Sequence, residues 1–257
     1  MVPNQEKFEI IAKTSFGLEE ILAEEIKNIG GENIDILTRA VSFEGSKETL
    51  YRGNLELRTA LRLLVPVHSF KVRDEIDLYR ETKKFDWDQY LTPNTTFAIN
   101  SDVHSGYFNH ENFVALKVKD AIVDQLRTVY GRRPDVDVNN PDLRLQVHIT
   151  DNQCTILLDS SGNSLHKRGY RIGQGLAPIN EVLAAGMIML SGWNAETDFV
   201  DPMCGSGTIL MEAATIAYNI APGMKISEFG FMKWKDWDPE LWFRLRNEAK
   251  AREREFE

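Results

Sequence analysis

Asp201, Cys204, Gly205, Ser206, Gly207 and Thr208 crowd into one eight-residue stretch, Asp-Pro-Met-Cys-Gly-Ser-Gly-Thr. Phe199 and Val200 before it have the character of the end of a buried strand, and Thr208 to Tyr218 after it has helical spacing. A strand, a glycine turn and a helix make a ligand-binding corner. Glycine lets a ligand approach the backbone where a Cβ would clash, and the helix start supplies unpaired N–H groups. A strand-to-helix turn that binds nothing is the plainer alternative.

The residues absent from this corner narrow the ligand. A phosphate-cradling loop needs a lysine before the hydroxyl residue, and Gly207-Thr208 has none. A dinucleotide fingerprint needs a third small residue, but Leu210 stands there. Asp201 at the head of the turn repels a pyrophosphate and suits a cation or a hydroxyl. S-adenosylmethionine carries an ammonium, a sulfonium and no phosphate, so an acid-led glycine turn fits it. Asp201 to Thr208 also resembles the D-P-x-C-G-S-G-T motif of class I methyltransferases acting on nucleic acid amino groups. That resemblance implies cofactor contacts from Asp201, Pro202, Cys204, Gly205, Ser206, Gly207 and Thr208. Asp201 would orient the methionine end, backbone N–H groups near Gly205 to Thr208 would take its carboxylate, and Cys204 would be a small buried residue of the turn.

The elements that must position this corner sit in a chain of 257 residues, long enough for two or three domains. Its 42% hydrophobic and 10% aromatic content supports a buried core. No apolar run approaches a membrane span, and the N-terminus has no signal-peptide pattern. The two cysteines, Cys154 and Cys204, are far apart and fit a reducing cytoplasm without disulfides. Five scattered histidines offer no ligand spacing, so no metal is expected. The net charge of −9 excludes a general polycation, so any nucleic acid contact must come from a local basic face.

Residues 1–70 read as strand, helix, strand, strand, helix, strand, the ferredoxin-like order. Ser15 is the expected N-cap of the first helix, Gly17 to Asn28, which Gly30-Gly31 ends. Ser46 is the expected cap of the second, and a strand over 62–70 closes the unit. In residues 71–162 a helix is expected from Asp74 to Tyr90, a strand at Thr96–Asn100 and a long helix from Phe113 to Tyr130. A hairpin then turns at Asp151-Asn152.

Lys83, Lys84, Lys117, Lys119, Arg132 and Arg133 of this second unit are candidates for one basic face. Solvated lysines on an amphipathic helix explain each of them singly. Asn112-Phe-Val-Ala-Leu-Lys-Val-Lys-Asp-Ala-Ile-Val-Asp124, Arg133-Pro-Asp-Val-Asp137, Pro141-Asp-Leu-Arg144 and Leu158-Asp-Ser-Ser-Gly162 resemble the THUMP domain of RNA-modifying enzymes. The resemblance implies an RNA-binding role that the charges alone do not show.

Residues 163–257 open on Leu165-His-Lys-Arg-Gly-Tyr-Arg171. Lys167, Arg168 and Arg171 around Tyr170 combine charge and a π-face, suited to RNA; a linker packing Tyr170 explains them equally. A helix of small residues follows, with Pro178 at its start, and in the resembling methyltransferases that start borders the cofactor. Pro178 and Asn180 are therefore further cofactor candidates. The aromatic cluster from Phe229 to Trp242 either walls a base pocket or holds a helix, and packing is the commoner use. Asp238-Pro239 is the expected N-cap and first residue of the last helix.

Taken from Thr14-Ser-Phe-Gly-Leu-Glu19 to Trp242, the sequence resembles bacterial THUMP-containing guanine-N2 methyltransferases of large-subunit ribosomal RNA. The implied fold is α+β followed by α/β: a ferredoxin-like unit (1–70), a THUMP domain (71–162) and the beginning of a Rossmann-like class I methyltransferase domain (163–257), incomplete. The implied reaction moves a methyl group from S-adenosyl-L-methionine to the exocyclic N2 of a guanine. The implied partner is large-subunit rRNA or an assembly intermediate, in the cytoplasm, with no membrane and no metal. The family's Asn/Asp-Pro-Pro-aromatic turn is missing, since Pro-Pro occurs nowhere in the sequence. The expectation is therefore the N-terminal part of a longer enzyme, with its catalytic residues beyond this chain and no activity of its own. A transfer-RNA methyltransferase with the same modules, or a non-catalytic RNA-binding protein with a methyltransferase remnant, are the alternatives.

Overall fold

The structure, a computed structural model, describes residues 7–171 and 178–255. In chain order its elements are β1 (Phe8–Lys13), α1 (Glu19–Asn28), β2 (Glu32–Leu37), β3 (Ala40–Gly45), α2 (Lys47–Glu56), β4 (Arg62–Lys71), α3 (Glu75–Lys84), β5 (Phe97–His104), α4 (Glu111–Tyr130), β6 (Leu143–Thr150), β7 (Gln153–Asp159), α5 (Glu181–Leu190), α6 (Thr208–Ala217) and α7 (Pro239–Ala251). They fall into two compact units. One unit takes Leu64–Gly162 together with Gly230–Trp237, and the other takes the remaining described residues; from their order in the sequence alone they are called the central and the flanking unit.

In the central unit the strand order is β4-β7-β6-β5. β4 pairs antiparallel with β7 from Leu64 onward, β7 antiparallel with β6, and β6 parallel with β5. The parallel pair needs a long crossover, and α4 supplies it. Alternation along β6 sends Leu143, Leu145, Val147 and Ile149 inward. Val114, Val118, Ala121, Ile122 and Leu126 of α4 form a buried apolar stripe of the same unit. Gly131 (φ 68°) ends α4 in the left-handed conformation.

The helix expected over Asp74–Tyr90 stops at Lys84. Asp86 accepts from Asp88 N and starts a separate 3₁₀ turn, Trp87–Gln89, which buries Trp87 completely while its indole N–H donates to Thr82 O (2.8 Å). The segment Gly230–Trp237 also belongs to this unit: Phe231 N donates to Ser160 O (2.9 Å) and Lys233 to Asn140 Oδ1 (3.1 Å).

In the flanking unit β2, β3 and β1 form an antiparallel run in that order. Phe8, Ile10 and Ala12 point inward from β1 towards the apolar side of α1, Leu22, Ala23 and Ile26. Ser15 does not cap α1. The helix starts at Glu19 without a side-chain cap, and Glu19 instead accepts from Gly17 N (2.7 Å) and Arg39 N (2.9 Å). Ser46 caps α2 through a capping box with Thr49, and Asp238 caps α7 through Leu241 N. Phe229 and Tyr51 meet Trp242 of α7 edge-on, at 5.3 and 6.5 Å between ring centres, so these aromatics pack a helix. Among the described residues no helix is long and apolar enough to cross a membrane, and no cluster of three His, Cys, Asp or Glu side chains is placed to hold a metal.

Candidate functional site

The glycine turn adopts the backbone its sequence demands. Gly205 (φ 52°) and Gly207 (φ 72°) are both left-handed, a conformation that costs a residue with a Cβ about 1–2 kcal/mol. Nothing lies within 4 Å of a Cβ built on Gly207, so the space over the bend is open. Gly207 N closes the turn on Cys204 O (2.7 Å), and Met211 N donates to Gly207 O (2.9 Å) to start α6. No side chain caps α6, which leaves its first-turn N–H groups for another partner. Asp201 Oδ1 accepts from Met203 N (3.1 Å), which fixes the acid at the head of the bend.

Three expectations about this corner need correction. Residues 199–200 do not form a strand, and Val200 is 80% exposed. Every strand among the described residues lies between Phe8 and Asp159, so this segment has no ladder partner, and an unpaired strand leaves its backbone groups to water. Cys204 is exposed instead of buried, for the same lack of a covering element. Pro178 is exposed and precedes the helix start: α5 begins at Glu181, capped by Asn180, whose Oδ1 accepts from Val182 N (2.9 Å) and Leu183 N (3.3 Å). Pro202, Gly205 and Ser206 are exposed, and Thr208 is buried.

Beneath the corner lies a network of buried charge. Arg168 is 3% exposed and donates to Leu165 O (2.8 Å) and to Arg58 O, with its Nε 3.7 Å from Glu212 Oε1. Tyr170 OH donates to Glu212 Oε1 (2.9 Å), and burial, with Glu212 beside it, pushes the Tyr170 phenol far up. Arg171 Nε pairs with Glu181 Oε1 (2.6 Å), while its Nη2 donates to Ile179 O (2.8 Å) and Thr208 Oγ1 (2.9 Å). Arg58 reaches the C-terminal end of α6, donating to Thr215 Oγ1 (2.9 Å), Thr215 O (3.1 Å) and Ile220 O (2.7 Å). Glu25 accepts from Arg58 N (2.7 Å), Thr59 N (2.9 Å) and the Thr59 hydroxyl. Burial pushes the carboxyl up, against the pull of those donors.

Arg168 and Arg171, expected to face RNA, are therefore turned into the protein, and only Lys167 of that trio is exposed. Sequence reasoning missed Arg58, Glu181 and Glu212. The available signal was a lone acid in the otherwise apolar helix Thr-Ile-Leu-Met-Glu-Ala-Ala-Thr, since an unpaired carboxylate is not buried.

The second candidate site lies in the central unit. Lys117, Lys119, Arg127 and Arg133 line a cavity of about 440 Å³ with Tyr79 and the carboxylates Asp120, Asp124 and Asp135. Arg132 and Arg133 line a neighbouring one of about 570 Å³ with Asn94 and Thr96. Lys83 touches Tyr79 OH (3.3 Å), whereas Lys84 is paired with Glu81 (2.8 Å) on α3 and lines neither cavity. The structure thus gathers Lys117, Lys119, Arg132 and Arg133, with carboxylates among them.

Residues 9–64 match the RlmL ferredoxin-like domain, residues 72–159 the THUMP domain, and residues 168–257 the RMKL-like methyltransferase domain. The chain is thus similar, segment by segment, to THUMP-containing methyltransferases, and it spans less than two thirds of the length of the curated relatives it matches. It is 44% identical over 244 residues to "Putative RNA methyltransferase slr0064" of Synechocystis, covering 95% of this chain and 64% of that one. To the ribosomal RNA large subunit methyltransferase K/L of Desulfotalea psychrophila it is 41% identical over 256 residues, covering 98% of this chain and 36% of the relative. Among solved structures, "SMU.472, a putative methyltransferase complexed with SAH" matches with a TM-score of 0.85 and 34% identity, over 97% of this chain and 66% of that one. Along the chain the ferredoxin-like match comes first, the THUMP match second and the methyltransferase match third.

Proposed function

We propose that this chain serves methyl transfer from S-adenosyl-L-methionine to RNA, at the exocyclic N2 of a guanine in large-subunit rRNA, in the cytoplasm. The bend at Gly205 and Gly207 carries the proposal, being open above its backbone and followed by a helix start that no side chain caps. Bound there, the cofactor supplies an electrophilic methyl group on a sulfonium. Asp201, at the head of the bend, orients the cationic methionine end, and the N–H groups at the start of α6 take the carboxylate. Holding donor and acceptor in line supplies most of the rate of such a transfer, which needs little acid or base strength. The division into residues 1–70, 71–162 and 163–257 assigns the first two segments to RNA. The basic lining of the α4 cavity, Lys117, Lys119 and Arg133, takes the phosphates.

Two measurements test this reading. Calorimetric titration of the chain with S-adenosylhomocysteine should show one site, and Asp201→Ala should abolish it. Large-subunit rRNA should compete for the chain more strongly than transfer RNA. An absence of cofactor binding, or a preference for transfer RNA, would each reject one half.

A further inference from the structure

Arg171 stands in a segment whose charges read as an RNA contact, yet its guanidinium bonds go to the frame of the glycine corner. Nε holds Glu181 Oε1 (2.6 Å), and the two protons of Nη2 go to Ile179 O (2.8 Å) and Thr208 Oγ1 (2.9 Å). Ile179 and Glu181 flank Asn180, the cap of α5, while Thr208 is the first residue of α6. One side chain therefore ties together the starts of both helices that border the corner.

The bond to Thr208 also has a direction. A guanidinium only donates, so Thr208 Oγ1 must accept. Thr208 is 3% exposed, and a buried hydroxyl proton needs an acceptor of its own. The neighbour in reach is Ser206 Oγ at 3.1 Å. With Thr208 donating to Ser206, the Ser206 hydroxyl does not donate back, and its own proton is left over for another acceptor. Ser206 is exposed on the open side of the bend.

Resting on the cofactor reading above, we propose that Arg171 is a positioning residue of the cofactor corner. Through Thr208 it fixes Ser206 as a one-way donor to an anion, the carboxylate of the amino-acid end of the ligand. The order is Arg171 N–H to Thr208 oxygen, Thr208 O–H to Ser206 oxygen, Ser206 O–H to the carboxylate. Glu181 keeps the guanidinium from swinging out of line.

The test compares two ligands that differ only in the group the relay addresses. S-adenosylhomocysteine has the amino-acid end; 5′-methylthioadenosine has the same nucleoside and sulfur without it. Thr208→Val keeps the shape and removes the hydroxyl. It should weaken S-adenosylhomocysteine about tenfold to a hundredfold, the loss expected for a hydrogen bond to a charged group, and leave methylthioadenosine within about twofold. Thr208→Ser restores the hydroxyl and should recover the lost affinity. Arg171→Met should match Thr208→Val. Because it also strands Glu181, a melting curve must show that it folds, and Thr208→Val carries the test if it does not.

Equal loss of both ligands in Thr208→Val, or no loss of either, would overturn the relay. So would an Arg171→Met chain that loses RNA but keeps S-adenosylhomocysteine at full strength, which would return Arg171 to an RNA role. An unmodified chain that binds neither small molecule would instead sink the cofactor reading, and the relay with it.

Discussion

Two helices of similar task, α4 in the central unit and α6 in the flanking unit, are held by opposite means. The buried side of α4 is apolar throughout, with Val114, Val118, Ala121, Ile122 and Leu126 all fully buried. The buried side of α6 consists of Thr208, Glu212 and Ala213, while Leu210 and Met211 are 36% and 40% exposed. Leu183, Met187 and Leu190 of α5 and Val200 before the turn are likewise exposed. Apolar contact is non-directional and fixes a helix by filling space. Where one side of a helix is left uncovered, the guanidinium and carboxylate bonds of Arg58, Arg168, Tyr170 and Arg171 set its axial position instead, because hydrogen bonds have direction.

The sharpest way to break this contrast is to remove one member of the buried pair. Glu212→Ala leaves the guanidinium of Arg168 buried without its counter-charge and should cost the flanking unit about 4 kcal/mol, read as a drop in its urea midpoint. Replacing both, as Arg168→Met with Glu212→Met, should recover most of that loss. In the central unit the matching cut is Leu126→Ala, which opens a cavity under α4 and should cost about 3 kcal/mol. Leu126→Met should cost under about 1.5 kcal/mol. If both cuts lower both units equally, the two helices are not held independently.

The same contrast explains what was legible in the sequence. Every element of the central sheet announces itself by period: alternation in Leu143–Ile149, a helical stripe from Val114 to Leu126, turn residues at Asp151-Asn152. The glycine bend was legible because Gly205 and Gly207 have one physical use in common, a left-handed backbone. The lack of a strand before it was not, because an apolar pair such as Phe199-Val200 becomes a strand only when a neighbour pairs with it. Arg168 and Arg171 misled for a related reason. A basic run looks the same whether it faces solvent or buried acids, and Glu181 and Glu212 lie 10 and more residues further along the chain.

A smaller effect sharpens the comparison at the level of backbone. Gly207→Ala forces a Cβ into φ 72° and should cost about 1 kcal/mol, although no atom crowds the position. Gly106 of the central unit is equally uncrowded and its φ is not left-handed. Gly106→Ala should therefore be neutral, or stabilising by about 0.5 kcal/mol through the unfolded chain. Thermal melts of the two variants separate strain from crowding.

The smallest expected effect is a pH dependence that differs in origin between the units. His68 of the central unit lies between Phe70 and Phe85, each at 4.6 Å between ring centres, and its Nε2 meets Glu81 O at 3.2 Å. Burial among these rings pulls its pKa below 6.5, with the Glu81 carbonyl and carboxylate opposing. His166 of the flanking unit is pulled the same way by burial, with Lys167, Arg168 and Arg171 adding to the pull and Glu181 opposing it. The sign follows from which state binds the proton first. As pH falls through 6.5 the unfolded chain takes up a proton that the folded imidazole still refuses, so stability is full above that pH and declines below it. His68→Phe keeps the stack and removes the titration. Amide exchange in α4 of that variant should lose the part of its acid sensitivity that His68 supplies, while exchange in α6, governed by the flanking unit, stays as sensitive as before. A variant that flattened both responses would mean that α4 and α6 open together, and the difference in how they are held would then have no consequence for their stability.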